Sequence, residues 1–207
     1  MIVTVPRIIL PLYKYFDDGT FAPFSTRCNF YMDYSTRCPT IIPASSCPDN
    51  YGGACPPLTF AEYGMSGYVC CVGNEEGTAY SGRSADVYYR FSLPPGVYVY
   101  RLRFKYLAYG ASGGDGGDKA VAEVILFGTQ LWSVEITHCT IRYGTVDLSY
   151  VRYWGGGTTE LIFRLRVTNV YSWFDHRNFT IDDVVFEVME PRQLTVVQSS
   201  SMAVLSI

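Results

Sequence analysis

The chain has 207 residues and a net charge of −3, with 48% hydrophobic and only 17% charged residues. Lysine is confined to Lys14, Lys105 and Lys119 and no basic stripe occurs, so nucleic acid is not an expected partner. No run reaches the ~20 apolar residues of a membrane span. The 19 Gly, 11 Pro and 18 Tyr favour strands and tight turns over helices, and the length suits one β-domain with extensions.

Residues 1–15 form an N-terminal apolar extension. Ile8, Leu10 and Leu12 alternate as in a strand, but Pro6 and Pro11 confine it to an edge or an unpaired course. It lacks a basic start and a small-residue cleavage site, so it does not read as a signal peptide. Phe16-Asp-Asp-Gly-Thr-Phe21 is a turn leading into an aromatic segment, Cys28 to Tyr34. A Cys-rich, loop-rich insertion then runs from about 28 to 82.

The seven cysteines, Cys28, Cys38, Cys47, Cys55, Cys70, Cys71 and Cys139, are disulfide candidates, and the odd number leaves at least one without an intrachain partner. Their spacing lacks the close pairs of a zinc site. Disulfides point to an oxidising, extracellular setting or to a hyperthermophile. Staples of this kind would hold the insertion compact, either as scaffold alone or as a rigid binding surface.

Regular alternation begins at residue 85. Val87, Tyr89, Phe91 and Leu93 share one face, and Tyr88, Arg90 and Ser92 the other. After Pro94-Pro-Gly96, Tyr98, Tyr100, Leu102, Phe104 and Tyr106 read as one face, opposite Arg101, Arg103 and Lys105. The two runs read as a hairpin. Gly110 to Asp118 is not a phosphate cradle; it reads first as a hairpin connection, with a calcium loop through Asp115 and Asp118 as the alternative. Val121–Phe127, Leu131–Ile136 and Cys139–Tyr143 read as short strands. In Thr159–Thr168, Leu161, Phe163, Leu165 and Val167 oppose Arg164 and Arg166. A loop holding Trp173 and His176 leads to the closing strand, Ile181 to Val188, which Pro191 is expected to stop. About eight strands at roughly ten-residue spacing specify an all-β antiparallel jelly-roll sandwich.

The domain is expected over 16–188, and residues 189–207 form a C-terminal tail. The tail has high β-propensity and, from Leu194 onward, no Pro, Gly or charge, so it is a candidate donor strand. Leu194, Val196, Met202, Val204, Leu205 and Ile207 would carry the donation, filling the open sheet edge of another copy and building a head-to-tail filament.

Several segments resemble galactose-binding-like jelly rolls, the fold of many carbohydrate-binding modules. They are Phe16–Phe21, the Tyr89–Phe104 run with its Pro-Pro-Gly turn, Thr159–Leu165 and Thr180–Val184. The resemblance implies a β-sandwich that binds glycans, with a structural Ca²⁺ held by Asp17 or Asp18 together with Asp182. No motif requires a cofactor. Low lysine and disulfide-dense loops more weakly resemble hyperthermophilic archaeal or viral extracellular filament subunits.

Two readings follow. The leading one is a structural subunit of an extracellular or virion-attached filament, partnered by itself. The alternative is an adhesin-like carbohydrate-binding domain, with Trp154 and Trp173 as sugar-stacking candidates. Asn178-Phe-Thr180 is the one N-glycosylation sequon. No catalytic constellation is evident. His138 and Cys139 are neighbours on opposite sides of an extended chain, as are Asp182 and Asp183. The chain is therefore read as not an enzyme.

Overall fold

The computed structural model describes residues 2–30, 38–48, 58–76, 82–111, 119–137, 139–169 and 176–195. The described residues form eleven strands: β1 Ile2–Lys14, β2 Ser25–Cys28, β3 Thr40–Pro43, β4 Tyr68–Glu76, β5 Ser84–Leu93, β6 Val97–Gly110, β7 Lys119–Leu126, β8 Thr129–Ile136, β9 Ile141–Trp154, β10 Gly157–Asn169 and β11 His176–Thr195. No helix among them is long and apolar enough to cross a membrane. Every registered pairing is antiparallel.

Two sheets result. One is six-stranded in the order β3-β4-β11-β6-β9, with β1 also on β11, and the other is five-stranded in the order β2-β5-β10-β7-β8. From β4 onward every connection except β7–β8 crosses from one sheet to the other, as a jelly roll requires. The expected β5–β6 hairpin is therefore an arch between sheets, because the inward residues of both runs must meet in one core. The β6–β7 connection likewise joins different sheets and is not a hairpin. The true hairpin is β7–β8, where Phe127 and Gly128 both have positive φ, 54° and 69°, as a two-residue type I′ turn needs.

The alternation read in β5 and β10 places Val87, Phe91, Leu161, Phe163 and Leu165 in the core, and β7 adds Val124. In β6 the pattern breaks. A bulge between Val99 and Arg101 opposite β9 turns Val97 and Val99 inward and leaves Tyr98 exposed. Tyr98 thus joins Arg101, Arg103 and Lys105 on the outer face. The rings of Phe104 and Phe163 meet edge to face across the sheets at 5.2 Å. Both are fully buried, so Phe→Ala at either would cost about 3–5 kcal/mol.

The insertion is not only loop. It contributes β3 and β4 to the six-stranded sheet. Ala44, Phe60, Tyr63 and Met65 form a second apolar cluster with Val69, Leu107 and Tyr109, on the outer side of that sheet. This covers one end of the sheet on both faces and accounts for the unbroken apolar run Leu107-Ala-Tyr109. Cys28 and Cys38 are bridged, and Cys139 is also disulfide-bonded. Cys47 and Cys70 carry free thiols, and Cys70 lies in the core on β4.

β11 changes neighbours along its length. It pairs with β4 from His176 to Ile181 and with β1 from Val184 to Thr195, while β6 runs along its other side as far as Met189. The closing strand therefore continues past both Val188 and Pro191. Pro191 faces Pro6, and two opposed prolines fit only a non-hydrogen-bonded pair, since neither has an N–H to exchange. The donor missing from Pro191 would have pointed toward β6. Proline ends the pairing on that side and leaves the β1 ladder intact.

Candidate functional site

The outer face of the five-stranded sheet is built by the residues between the core positions. Asp86, Tyr88 and Arg90 point outward from β5, and Glu160, Ile162, Arg164 and Arg166 from β10. Register sets them in rows across strands. Arg27 of β2 faces Asp86, Asp86 faces Arg164, and Arg164 faces Glu123 of β7. In the next row Ser25, Tyr88, Ile162 and Ile125 lie side by side.

The charges are layered. The carboxylates of Asp86 and Glu123 are 2% and 4% exposed, and Glu160 is 19% exposed. Above them the side chains of Arg27, Arg166 and Arg90 are 43%, 38% and 64% exposed. Arg164 gives both Nε and Nη2 to Asp86 at 2.6 and 3.0 Å, and Arg27 Nε donates to the same carboxylate at 2.5 Å. Arg166 forks onto Glu123 at 3.0 and 3.3 Å. Glu160 accepts from Arg90 at 2.6 and 3.0 Å and from Arg27 Nη2 at 3.2 Å. The bond to Asp86 raises the Arg164 pKa above its ordinary value. Burial opposes the charge on Arg27, but Asp86 and Glu160 outweigh it and leave that pKa raised as well.

Beside this network lies a cleft of about 250 Å³ lined by Arg27, Cys28, Asn29, Ser84, Asp86 and Arg164. Asn29 Oδ1 accepts from the Ser84 amide at 2.6 Å, and Arg83 Nη1 donates to the Asn29 carbonyl at 3.0 Å. The Cys28–Cys38 bridge fixes the adjoining wall. The Arg27 guanidinium sits 4.5 Å from the centre of the half-exposed Tyr88 ring. The face therefore combines fixed N–H donors, carboxylate acceptors and a short apolar row. Such a surface can hold a polyhydroxylated ligand, and among the described residues it presents no nucleophile–base pair.

A second cluster sits where β11 passes from β4 to β1. Asp183 has a positive φ of 51°, and a bulge opposite β6 spans Asp182 to Val185. Asp182 is fully buried and accepts from the Asp183 amide at 2.8 Å and the Ser66 amide at 3.3 Å. Asp17 Oδ1 accepts from the Tyr68 amide at 3.1 Å, and a Cβ on Gly67 would lie 1.8 Å from that oxygen, so the approach needs glycine. Asp18 takes Lys14 Nζ on both oxygens at 2.6 and 2.7 Å. Lys14 itself is 5% exposed, with its ammonium 5.4 Å from the centre of the Phe16 ring.

These are the residues that the family resemblance assigns to calcium. They do not fit it. The carboxylates are spent on backbone amides and on an ammonium, and no group of three or more His, Cys, Asp or Glu among the described residues converges on a point. Calcium takes six to eight oxygen ligands.

Other sequence candidates are dispersed. Trp154 turns toward the core, and its ring stacks on Phe127 at 4.2 Å and 9°, so one face is already covered. Asn178 is buried in β11, with Nδ2 donating to Cys71 Sγ at 3.2 Å and Oδ1 accepting from Thr180 at 2.8 Å. No glycan fits on that side chain in this fold. His176, expected in a solvated loop, is buried at the start of β11. Leu194 pairs with Val3 of its own chain. Trp173, Cys55, Asp115, Asp118, Val196, Met202, Val204, Leu205 and Ile207 lie outside the described residues.

Sequence reading placed Arg90, Arg164 and Arg166 on outer faces but missed the site they form. The missing signal was register. Arg27, Asp86, Glu123 and Glu160 come from four strands distant in sequence, and only pairing shows which charges meet.

No family model matches this chain, and no curated protein matches it. Solved structures similar to it include a family 61 carbohydrate-binding module in complex with β-1,4-galactotriose, at 16% identity and TM-score 0.41 over 84% of this chain and 93% of that one. The K1 cleaved adhesin domain of Lys-gingipain from Porphyromonas gingivalis has 15% identity and TM-score 0.42 over 86% and 97%. The CBM22-2 xylan-binding domain of Xyn10C from Paenibacillus barcinonensis has 10% identity and TM-score 0.39 over 85% and 98%.

Proposed function

We propose that this chain is a non-catalytic carbohydrate-binding module whose ligand lies across the outer face of the five-stranded sheet. The observation that carries the reading is the layered network in which Asp86, Glu123 and Glu160 lock four guanidiniums beside Tyr88 and the Arg27–Asn29–Ser84 cleft. A sugar needs donors, acceptors and a flat apolar patch held in place before it arrives, and the buried carboxylates supply that order. The Cys28–Cys38 bridge fits an oxidising, extracellular setting. Glycan binding is preferred to head-to-tail assembly because it has a built surface, whereas the donor segment beyond Thr195 lies outside the described residues.

The test is titration calorimetry against a panel of soluble oligosaccharides. Tyr88→Ala and Arg27→Ala should each weaken binding at least about tenfold, while Tyr98→Ala, on the opposite sheet, should not change it. The reading fails if no oligosaccharide binds, or if only the Tyr98 variant loses binding.

A further inference from the structure

Within that carbohydrate-binding reading, we infer that the ligand is an acidic glycan, a polymer bearing uronate carboxylates, and not a neutral one. On the face Arg27, Arg90, Arg164, Arg166 and Lys119 meet Asp86, Glu123, Glu160 and Glu135, and Arg83 adds a further cation beside the cleft. The excess alone is small, and layering amplifies it. The negative groups Asp86 and Glu123 are almost completely covered, whereas Arg27, Arg90 and Arg166 are 43%, 64% and 38% exposed. Except at the exposed Lys119–Glu135 pair on the β8 side, a ligand approaching from solvent meets the positive layer first.

The guanidiniums are also aimed. Arg27 and Arg90 commit Nε and Nη2 to carboxylates, as does Arg166. In each of the three, Nη1 makes no hydrogen bond among the described residues, so a planar N–H edge remains for a second carboxylate. Arg pairs with carboxylates through that flat fork. Arg27 and Arg164 stand two strands apart, about 10 Å, and Arg164 and Arg166 about 7 Å apart along β10. A single anion would engage one of these, whereas a chain with a carboxylate on each sugar engages several.

The interleaved acids favour a glycan over a polyphosphate. Glu160 keeps 19% of its side chain exposed and can accept from hydroxyls, which a uronate polymer carries and a phosphodiester backbone does not. The half-exposed Tyr88, Ile162 and Ile125 form an apolar row for the C–H face of a ring.

The experiment compares, by calorimetry on the full chain, an oligogalacturonate with the neutral galactan oligomer of equal length and with a single-stranded DNA oligomer. The oligogalacturonate should bind at least about tenfold tighter than the neutral oligomer, and about 0.5 M salt should erase most of that preference. Arg90→Gln and Arg166→Gln should each remove most of the preference for the acidic oligomer. Equal binding of acidic and neutral oligomers overturns the acidic class and leaves the carbohydrate reading standing. Binding of neither overturns both. DNA binding as tight as the uronate, with the same salt dependence, assigns the face to polyanions in general and overturns the glycan assignment.

Discussion

Asp182 and Asp18 are carboxylates that titrate in opposite senses. Burial, and then the neighbouring Asp183, raise the Asp182 pKa from 3.8 to about 6, against backbone bonds from Asp183 and Ser66. The bonds from Lys14 and from the Thr20 amide lower Asp18 to about 2. The folded chain holds the Asp182 proton more tightly than the unfolded chain does. Its contribution to stability is therefore present below pH 3.8 and is lost as pH rises through about 6. Asp18 contributes in the other sense, present above pH 3.8 and lost as pH falls through about 2. Urea midpoints from about pH 4 to 7 should separate the two. Asp182→Asn should gain on the wild type as pH rises, because it removes the buried charge. A difference that stays constant across this range, or a variant that loses ground to the wild type as pH rises, would show that Asp182 is not the titrating group. Sequence reading saw the aspartate pair at the start of the closing strand. It could not see that Asp182 is sealed and Asp183 is bonded to Lys105 at 2.7 Å.

At the scale of elements, the edge strand β1 is guarded by its prolines. Counting along β11 from the Pro6–Pro191 pair puts Pro11, opposite Glu187, in the same non-hydrogen-bonded class. The N–H groups that Pro6 and Pro11 lack are those that would face outward from the edge of β1 that pairs with no strand among the described residues. An exposed strand of 13 residues otherwise invites another copy, and removing its outward donors prevents that. The exposed side chains of Val5 and Ile8 sharpen the risk. Pro6→Val with Pro11→Thr should restore two outward donors and produce dimers or larger species at high concentration in size-exclusion chromatography. A variant that stays monomeric would mean that something other than proline protects the edge. Much of this was legible: alternation in β5 and β10 placed their inward and outward residues correctly, because each strand is half-buried and its period is 2. Three features were not legible. The β6 bulge costs one residue of phase and leaves no mark in composition. The β5–β6 arch looks like a hairpin because Pro-Pro-Gly turns a chain without saying which sheet follows. Pro191 reads as a stop because sequence does not show that only one of the strand's two sides needs the N–H.

The whole molecule is a sandwich whose two outer faces have different fates. The insertion covers part of the six-stranded sheet with Phe60, Tyr63 and Met65, while the five-stranded sheet keeps its layered arginines at the surface. The proposed binding accordingly falls on the five-stranded sheet, and the end-to-end meeting of β1 and β4 along β11 needs its own support. Lys14 supplies part of it. It follows Leu12 on the inward side of β1, and its nearly buried ammonium is satisfied by Asp18, by Thr20 Oγ1 at 3.4 Å and by the Phe16 ring. Lys14 thus supplies the positive charge at Asp18, one of the residues that the family resemblance assigns to calcium. Chelation by EDTA should leave the melting temperature unchanged, and added calcium should not raise it. Asp18→Ala should lower it, because the ammonium then stays buried without its counter-ion, and calcium should not restore it. Adding Lys14→Met to that variant should recover most of the loss, since no unpaired charge remains. A melting temperature that falls in EDTA and returns with calcium would instead place a metal at the seam, and the bonds to Lys14 and the Ser66 and Tyr68 amides would then have to give way to it.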